Sequence, residues 1–250
     1  MLYSIYNFIL IPWLIIAIIT FLILFTITAP YGKFSNSKWG ILVNYRLGWF
    51  IQEIISPLSF SYFFLTGIAN KNYVSWILFS IWILHYINRS IIFPLRIPNG
   101  SKIPVPIIIS AIFFNIINGF INGFYIGNIA FFDDQYIYSI KFIIGLLIFT
   151  IGLIINIYSD EVLIKIKKKN IGYQIPKGGL YKYISCPNYL GEILEWTGFA
   201  IISWSFPSLL FAVWTMANLI PRAKSQHAWY KEKFKSEYPK EKKAILPFIY

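Results

Sequence analysis

Four groups of residues in this chain have types and spacings that can do chemistry: Gln52-Glu53, His85-Tyr86 followed by Arg89, Asn156 with Asp160, and Asn188 with Glu192. Each sits in or beside a stretch apolar enough to cross a bilayer. An ionisable group at that depth is costly and is a functional candidate by default. A carboxylate such as Glu53, held in hydrocarbon, is either protonated or paired. Pro57 follows it and can kink the helix, which opens space at its side. A phenol such as Tyr86 beside a carboxylate can donate a proton to a carbonyl, which is general-acid work. Asn156 and Asp160 share a helix face at i, i+4. Glu192 and Glu195 follow Pro187, which suits a first helical turn. Two carboxylates one turn apart in an apolar helix have little structural rationale. The basic run Lys165–Lys169 suits a lipid headgroup or a phosphorylated cofactor. Arg222, His227 and Tyr230 can all donate to phosphate.

The elements that carry these residues follow from composition. The chain has 250 residues, 57 % hydrophobic and 13 % charged, against about 25 % charged in soluble domains; its mean hydropathy is +0.62. The expected solvent is therefore the bilayer. A single cysteine, Cys186, excludes an internal disulfide and a cysteine-built zinc site, and two histidines offer little for another metal centre. The net charge of +12 is not read as a nucleic-acid footprint, because the basic residues cluster in loops between apolar spans.

The apolar stretches predict seven transmembrane helices in an all-α single domain over 1–250. They are placed at about 7–28, 48–69 and 73–93, within 103–132, around 142–159, and at about 188–205 and 207–222. The last two are separated at Ser205-Phe206-Pro207, because an uncharged run of 26 residues, Trp196–Pro221, is long for one crossing of about 20. Of the 22 Lys and Arg residues, 20 fall in alternate loops and the C-terminal tail, and Lys71 and Lys141 lie on the other side. That bias predicts an outside N-terminus, a cytoplasmic C-terminus and an odd number of spans. The Asn88-Arg-Ser and Asn99-Gly-Ser sequons fall on the cytoplasmic side, where neither is expected to be used.

Several pieces, in order and spanning nearly the whole chain, resemble the steroid 5α-reductase family. They are Ala29-Pro30-Tyr31-Gly32-Lys33, Trp49-Phe50-Ile51-Gln52-Glu53, His85-Tyr86-Ile87-Asn88-Arg89, Asn118-Gly119, Asn156-Ile157-Tyr158-Ser159-Asp160, Tyr173 through Gly179, Asn188-Tyr189-Leu190-Gly191-Glu192 with Glu195-Trp196, and Tyr238-Pro239-Lys240 to the end. The resemblance implies a seven-helix bundle that binds NADPH from the cytosolic side and transfers hydride to C5 of a 3-oxo-Δ4 steroid. It implies that Glu53 and Tyr86 hold and polarise the C3 carbonyl, with Gln52 in the substrate site. It implies a cofactor set of Arg89, Lys102, Asn118, Asn156, Asp160, Lys167, Tyr173, Asn188, Glu192, His227 and Tyr230. The expected setting is the endoplasmic reticulum in a eukaryote or the cytoplasmic membrane in a bacterium. The expected partners are a steroid or related enone lipid and membrane lipids, with no nucleic acid, no metal and a monomeric state.

Two departures stand out. The family's paired histidines are here Gln226-His227, and Pro94–Pro106 matches poorly, which weakens Arg96 and Lys102. A second family offers an alternative. Gly179-Leu180-Tyr181 and Pro187-Asn188-Tyr189-Leu190-Gly191 partly resemble the isoprenylcysteine carboxyl methyltransferases. Ser185-Cys186 stands where those have Arg-His, and they have no call for Gln52-Glu53 or Tyr86. Reduction of another enone or enoyl lipid is a further alternative.

Overall fold

The computed structural model describes residues 1–169 and 172–250. Within them the chain forms α1 (Leu2–Thr26), α2 (Tyr45–Leu65), α3 (Tyr73–Ile87), a short α4 (Phe93–Arg96), α5 (Val105–Phe124), α6 (Ile140–Lys168), α7 (Pro187–Ser203) and α8 (Phe206–Phe234). Wide i→i+5 turns join α3 to α4 at Asn88–Ile92 and extend α5 through Tyr125–Ile129. Four segments are long and apolar enough to cross a membrane: Leu2–Thr26, Tyr73–Arg96, Val105–Ile129 and Ile140–Lys168. The other long helices, α2, α7 and α8, are the ones that carry Gln52, Glu53, Glu192, Glu195 and the polar end around Arg222. Their polarity marks the inside of the bundle.

Two helix pairs form its frame. In α6 and α7, glycines at a seven-residue spacing meet backbone to backbone. A Cβ on Gly191 would stand 2.5 Å from the amide nitrogen of Asn156, and one on Gly152 would stand 2.5 Å from that of Glu195. Small residues allow such approach where no hydrophobic force draws helices together in lipid. Gly119, Gly123 and Gly127 do the same against the α2 backbone from Ser56 to Phe64. Between the pairs, α3 and α8 contribute an aromatic core. Trp82 lies 4.5 Å from Phe60 and 5.0 Å from both Trp196 and Phe211, centroid to centroid. Such contacts are worth about 0.5–1.5 kcal/mol each beyond burial.

The break at 204–205 falls where sequence places it. Trp204 is left-handed at φ +46°, and the Ser205 hydroxyl caps α8 by accepting from the Ser208 amide. Other boundaries differ. No breaker follows Pro221, so α8 continues as a helix to Phe234 rather than ending near 222. A two-stranded ladder also appears in what the sequence reads as all-α. Leu42, Val43 and Asn44 pair antiparallel with Pro104, Ile103 and Lys102, which brings Lys102 to the start of α2. The tail docks on the approach to α7: Ser185 and Cys186 donate to the carbonyls of Lys243 and Ala244.

Candidate active site

The glycine contact between α6 and α7 sets polar residues face to face. Asn156 Nδ2 donates to the Asn188 carbonyl at 2.9 Å, and Asn188 Nδ2 donates to Asp160 Oδ1 at 3.0 Å. Arg89 reaches this cluster from the i→i+5 turn after α3, donating through Nη1 to Asp160 Oδ2 at 3.3 Å and pairing through Nη2 with Glu192 Oε2 at 3.4 Å. Its guanidinium lies over the rings of Trp49 and Phe93, and its carbonyl accepts from Trp49 Nε1 at 3.0 Å. One arginine thus ties α2, α3, α6 and α7 together, with its charge met by two carboxylates. Such charge-assisted bonds are the stronger kind.

Arg89 and Glu192 form part of the wall of a cavity of about 480 Å³ lying between α1, α2, α3, α5, α7 and α8. Its remaining polar wall includes Gln52, Glu53, His85, Tyr86 and Arg222, while much of the rest is aromatic and aliphatic. Tyr86 is buried, and Gln52 Nε2 donates to Glu53 Oε1 at 2.9 Å, which orients the carboxyl group. Asn115 secures the same turn by donating to the Gln52 carbonyl at 2.7 Å. An apolar chamber with a few convergent polar groups is the usual form of a small-molecule site. A phenol and a carboxyl in its wall are suited to binding and polarising a carbonyl.

A second cavity, of about 610 Å³, adjoins the first and shares Tyr31 and Arg222 with it. Four cations line it, Lys33, Lys102, Lys167 and Arg222, with no carboxylate among the described residues of its wall. Arg222 lies 4.2 Å over the Tyr31 ring. Lys167 donates to Ser101 Oγ at 2.6 Å. The Lys33 ammonium sits 3.2 Å over the Trp229 ring and 4.5 Å over that of Tyr230, and it has no hydrogen-bond partner among the described residues. Burial lowers its pKa to about 7. An ammonium shielded from solvent in a wall of cations is a group that an anion would stabilise.

The structure distributes the sequence-derived residues among these features. Gln52, Glu53, Tyr86, Arg89 and Glu192 line the inner cavity, and Lys102, Lys167, Tyr173 and Tyr230 line the outer one. Asn156, Asp160 and Asn188 form the hydrogen-bonded cluster that holds Arg89 from behind. Asn118 lies at the α1–α5 contact, accepting from Trp13 Nε1 and donating to the Phe114 carbonyl. His227 lies at the tail junction, where its Nδ1 is 2.6 Å from the Ser185 hydroxyl, itself 2.6 Å from the Tyr238 hydroxyl. Burial, then Lys231 and Lys243, bring the His227 pKa down to about 4. Sequence reasoning singled out neither Tyr31 nor Lys33 individually. Both belong to the Ala29–Lys33 motif, so the signal was present without its meaning.

The helical frame thus holds an apolar chamber walled in part by a phenol and a carboxyl group, next to a chamber lined by cations. Comparison with known proteins gives the family. Residues 101–250 match the family model described as 3-oxo-5-alpha-steroid 4-dehydrogenase. The chain is 38 % identical over 255 residues to the steroid 5-alpha-reductase DET2 of Gossypium hirsutum, covering 99 % of this chain and 98 % of that one. It is 36 % identical over 227 residues to 3-oxo-5-alpha-steroid 4-dehydrogenase 1 of Rattus norvegicus, covering 90 % and 87 %. The chain belongs to the steroid 5α-reductase family of oxidoreductases.

Proposed function

We propose that this protein reduces the Δ4 double bond of a 3-oxo-Δ4 steroid, with NADPH as the reductant. The observation that carries the reading is the meeting of an apolar chamber and a cationic one at Tyr31 and Arg222. A cofactor with several phosphates at one end and a reactive ring at the other suits that pair of chambers. The residues fit the group: four cations face one space, and the Nζ of one of them, Lys33, is shielded from solvent with no hydrogen-bond partner among the described residues.

NADPH, when bound, supplies the hydride that is delivered to C5. The protein's own part is electrostatic and steric. Tyr86 donates to the C3 oxygen and draws electron density along the enone, which makes C5 electrophilic. Glu53, oriented by Gln52, holds the same end of the substrate. Hydride addition at C5 leaves an enolate, which takes a proton at C4 from solvent to restore the ketone, while aromatic walls keep water from C5 during the hydride step. Arg89, Lys102, Lys167, Tyr173, Glu192 and Tyr230 hold the cofactor directly. Asn156, Asp160 and Asn188 hold Arg89, while Asn118 and His227 support the frame around the site. The protein spans the membrane seven times as a monomer, with its C-terminus and the cationic chamber on the cytoplasmic side.

Purified protein in lipid nanodiscs, given a 3-oxo-Δ4 steroid, is expected to consume NADPH one-to-one with 5α-reduced product and to prefer it over NADH at limiting concentration. Absence of turnover with binding of S-adenosylmethionine in place of NADPH would reverse the reading in favour of a methyltransferase.

A further inference from the structure

One buried ion pair beside the inner chamber is used by no step above. His85 Nδ1 on α3 lies 2.5 Å from Glu195 Oε2 on α7, with side chains 3 % and 0 % exposed. The imidazole is wedged between Tyr86, at 5.1 Å between centroids, and Trp196, at 4.6 Å. Glu195 Oε1 is buried with no hydrogen-bond partner among the described residues. As a source of stability this is a poor arrangement. A half-satisfied buried carboxylate carries a desolvation cost, and well-packed apolar residues often do as well or better than a buried pair.

Its position suggests another use. Four residues further on, in the turn that follows α3, Arg89 pairs with Glu192, three residues back along α7. The two pairs are rungs of one ladder between α3 and α7, and Tyr86 lies between them. Directly after Tyr86 the regular helix gives way to the i→i+5 turn Asn88–Ile92. Such a turn slips the hydrogen-bond register and is frequent at functional sites. Regular helical bonding on the C-terminal side therefore does not fix where Tyr86 points. A slip of one residue would rotate it by about 100°.

We propose that the His85–Glu195 pair is a positioning device that fixes the rotation of α3 and so holds the Tyr86 phenol toward the substrate carbonyl. The proposal rests on the reductase reading, in which Tyr86 meets that carbonyl. The outer rung, Arg89–Glu192, is shared with Asp160, so Arg89 is not committed to α7 alone. The inner rung is almost wholly buried, so solvent screens its short contact little.

The test exploits the two imidazole nitrogens. Asparagine places its amide near Nδ1, the atom that faces Glu195; glutamine places its amide near Nε2. His85→Asn is expected to retain at least about a third of parental kcat. His85→Gln is expected to lose at least about tenfold in kcat, with NADPH affinity and the KM for cofactor unchanged. A purely structural pair would lower the yield of folded protein and leave kcat per folded molecule alone. If His85→Gln is the active variant and His85→Asn the impaired one, His85 acts on the substrate through Nε2 and the proposal is overturned; parental kcat in both overturns it too. Should His85→Gln not fold, Glu195→Asp serves, since it keeps the charge but withdraws it by one methylene. Reduced kcat with unchanged NADPH affinity supports positioning, and parental kcat overturns it. A parent protein that does not reduce the enone overturns the reductase reading and this proposal with it, whereas an active parent with the wrong variant pattern overturns this proposal alone.

Discussion

The inner and outer chambers share two residues and otherwise have different kinds of wall. The inner one is built mostly from helix positions: Trp49, Gln52 and Glu53 on α2, His85 and Tyr86 on α3, Arg89 in the turn that continues it, Glu192 and Trp196 on α7. The outer one draws much of its wall from connections: Tyr31 to Ser35, the strand end at Lys102, and Gly172 to Gln174. Helices braced by glycine contacts and aromatic packing hold atoms in place, which is what polarising one carbonyl requires. Connections supply Lys33 and Lys102 beside Lys167 of α6 and Arg222 of α8, and they can accommodate, which suits gripping a flexible anion. The chambers therefore should respond differently to substitution: changes at the inner phenol–carboxyl pair should act on turnover, and changes to the outer cations on affinity.

The sharpest way to break that division is Tyr86→Phe. It keeps the ring and its packing against Trp82 and Trp196 and removes one hydroxyl. Loss of one donor aimed at developing charge costs about 10²–10³ in turnover, while NADPH affinity should stay at the parental value. Glu53→Gln should damage both turnover and substrate binding, because it leaves the shape and changes the charge. Near-parental turnover per folded molecule in Tyr86→Phe would remove the phenol from the mechanism.

Glu192→Ala tests the boundary between the chambers. Glu192 lines the inner cavity but pairs with Arg89, which the Asp160 cluster also holds. Removing one partner of a half-buried charge pair costs at most about 1.5–3 kcal/mol, or about ten- to hundredfold in an equilibrium constant. The loss is expected in NADPH affinity more than in kcat, measured by fluorescence titration beside single-turnover rates. A variant that binds NADPH as tightly as the parent would place Glu192 outside the cofactor site.

Much of this site was legible in the sequence for a physical reason. Glu53, Arg89, Asp160 and Glu192 stand out because polar residues in apolar helices are expensive, so their presence is information. The break at Ser205-Phe206-Pro207 was legible because serine caps and proline starts a helix. What could not be read was pairing between helices. His85 and Glu195 are 110 positions apart, and nothing local says that glycine contacts will carry Glu195 inward. The continuation of α8 to Phe234 was hidden because a polar helix and a solvated tail have the same composition. The Leu42–Asn44 and Lys102–Pro104 ladder was hidden because three-residue strands have no periodicity to detect. Lys33 was hidden for the opposite reason: as one cation among the loop charges it looks like an ordinary topology signal.

Lys33 also gives the outer chamber its own signature. Burial brings its pKa to about 7, so in the free protein it is charged below that pH and increasingly neutral above it. A phosphate bound beside it favours the charged form and raises that pKa. Binding at pH 8 therefore takes up a proton, and affinity must fall as pH rises above about 7, by at most tenfold per pH unit for one proton. Phosphate monoesters lose their second proton near pH 6, so the ligand's own titration is complete over most of this window. NADPH affinity is expected to weaken by about three- to tenfold between pH 7 and 9. Lys33→Arg should flatten the profile, because guanidinium stays charged throughout, and Lys33→Met should be weak and flat. The inner chamber should show none of this: kcat at saturating NADPH should be insensitive to the Lys33 substitutions. A parental affinity that does not change with pH, or a Lys33→Arg variant that keeps the parental slope, would mean that the unpaired ammonium does not meet the cofactor.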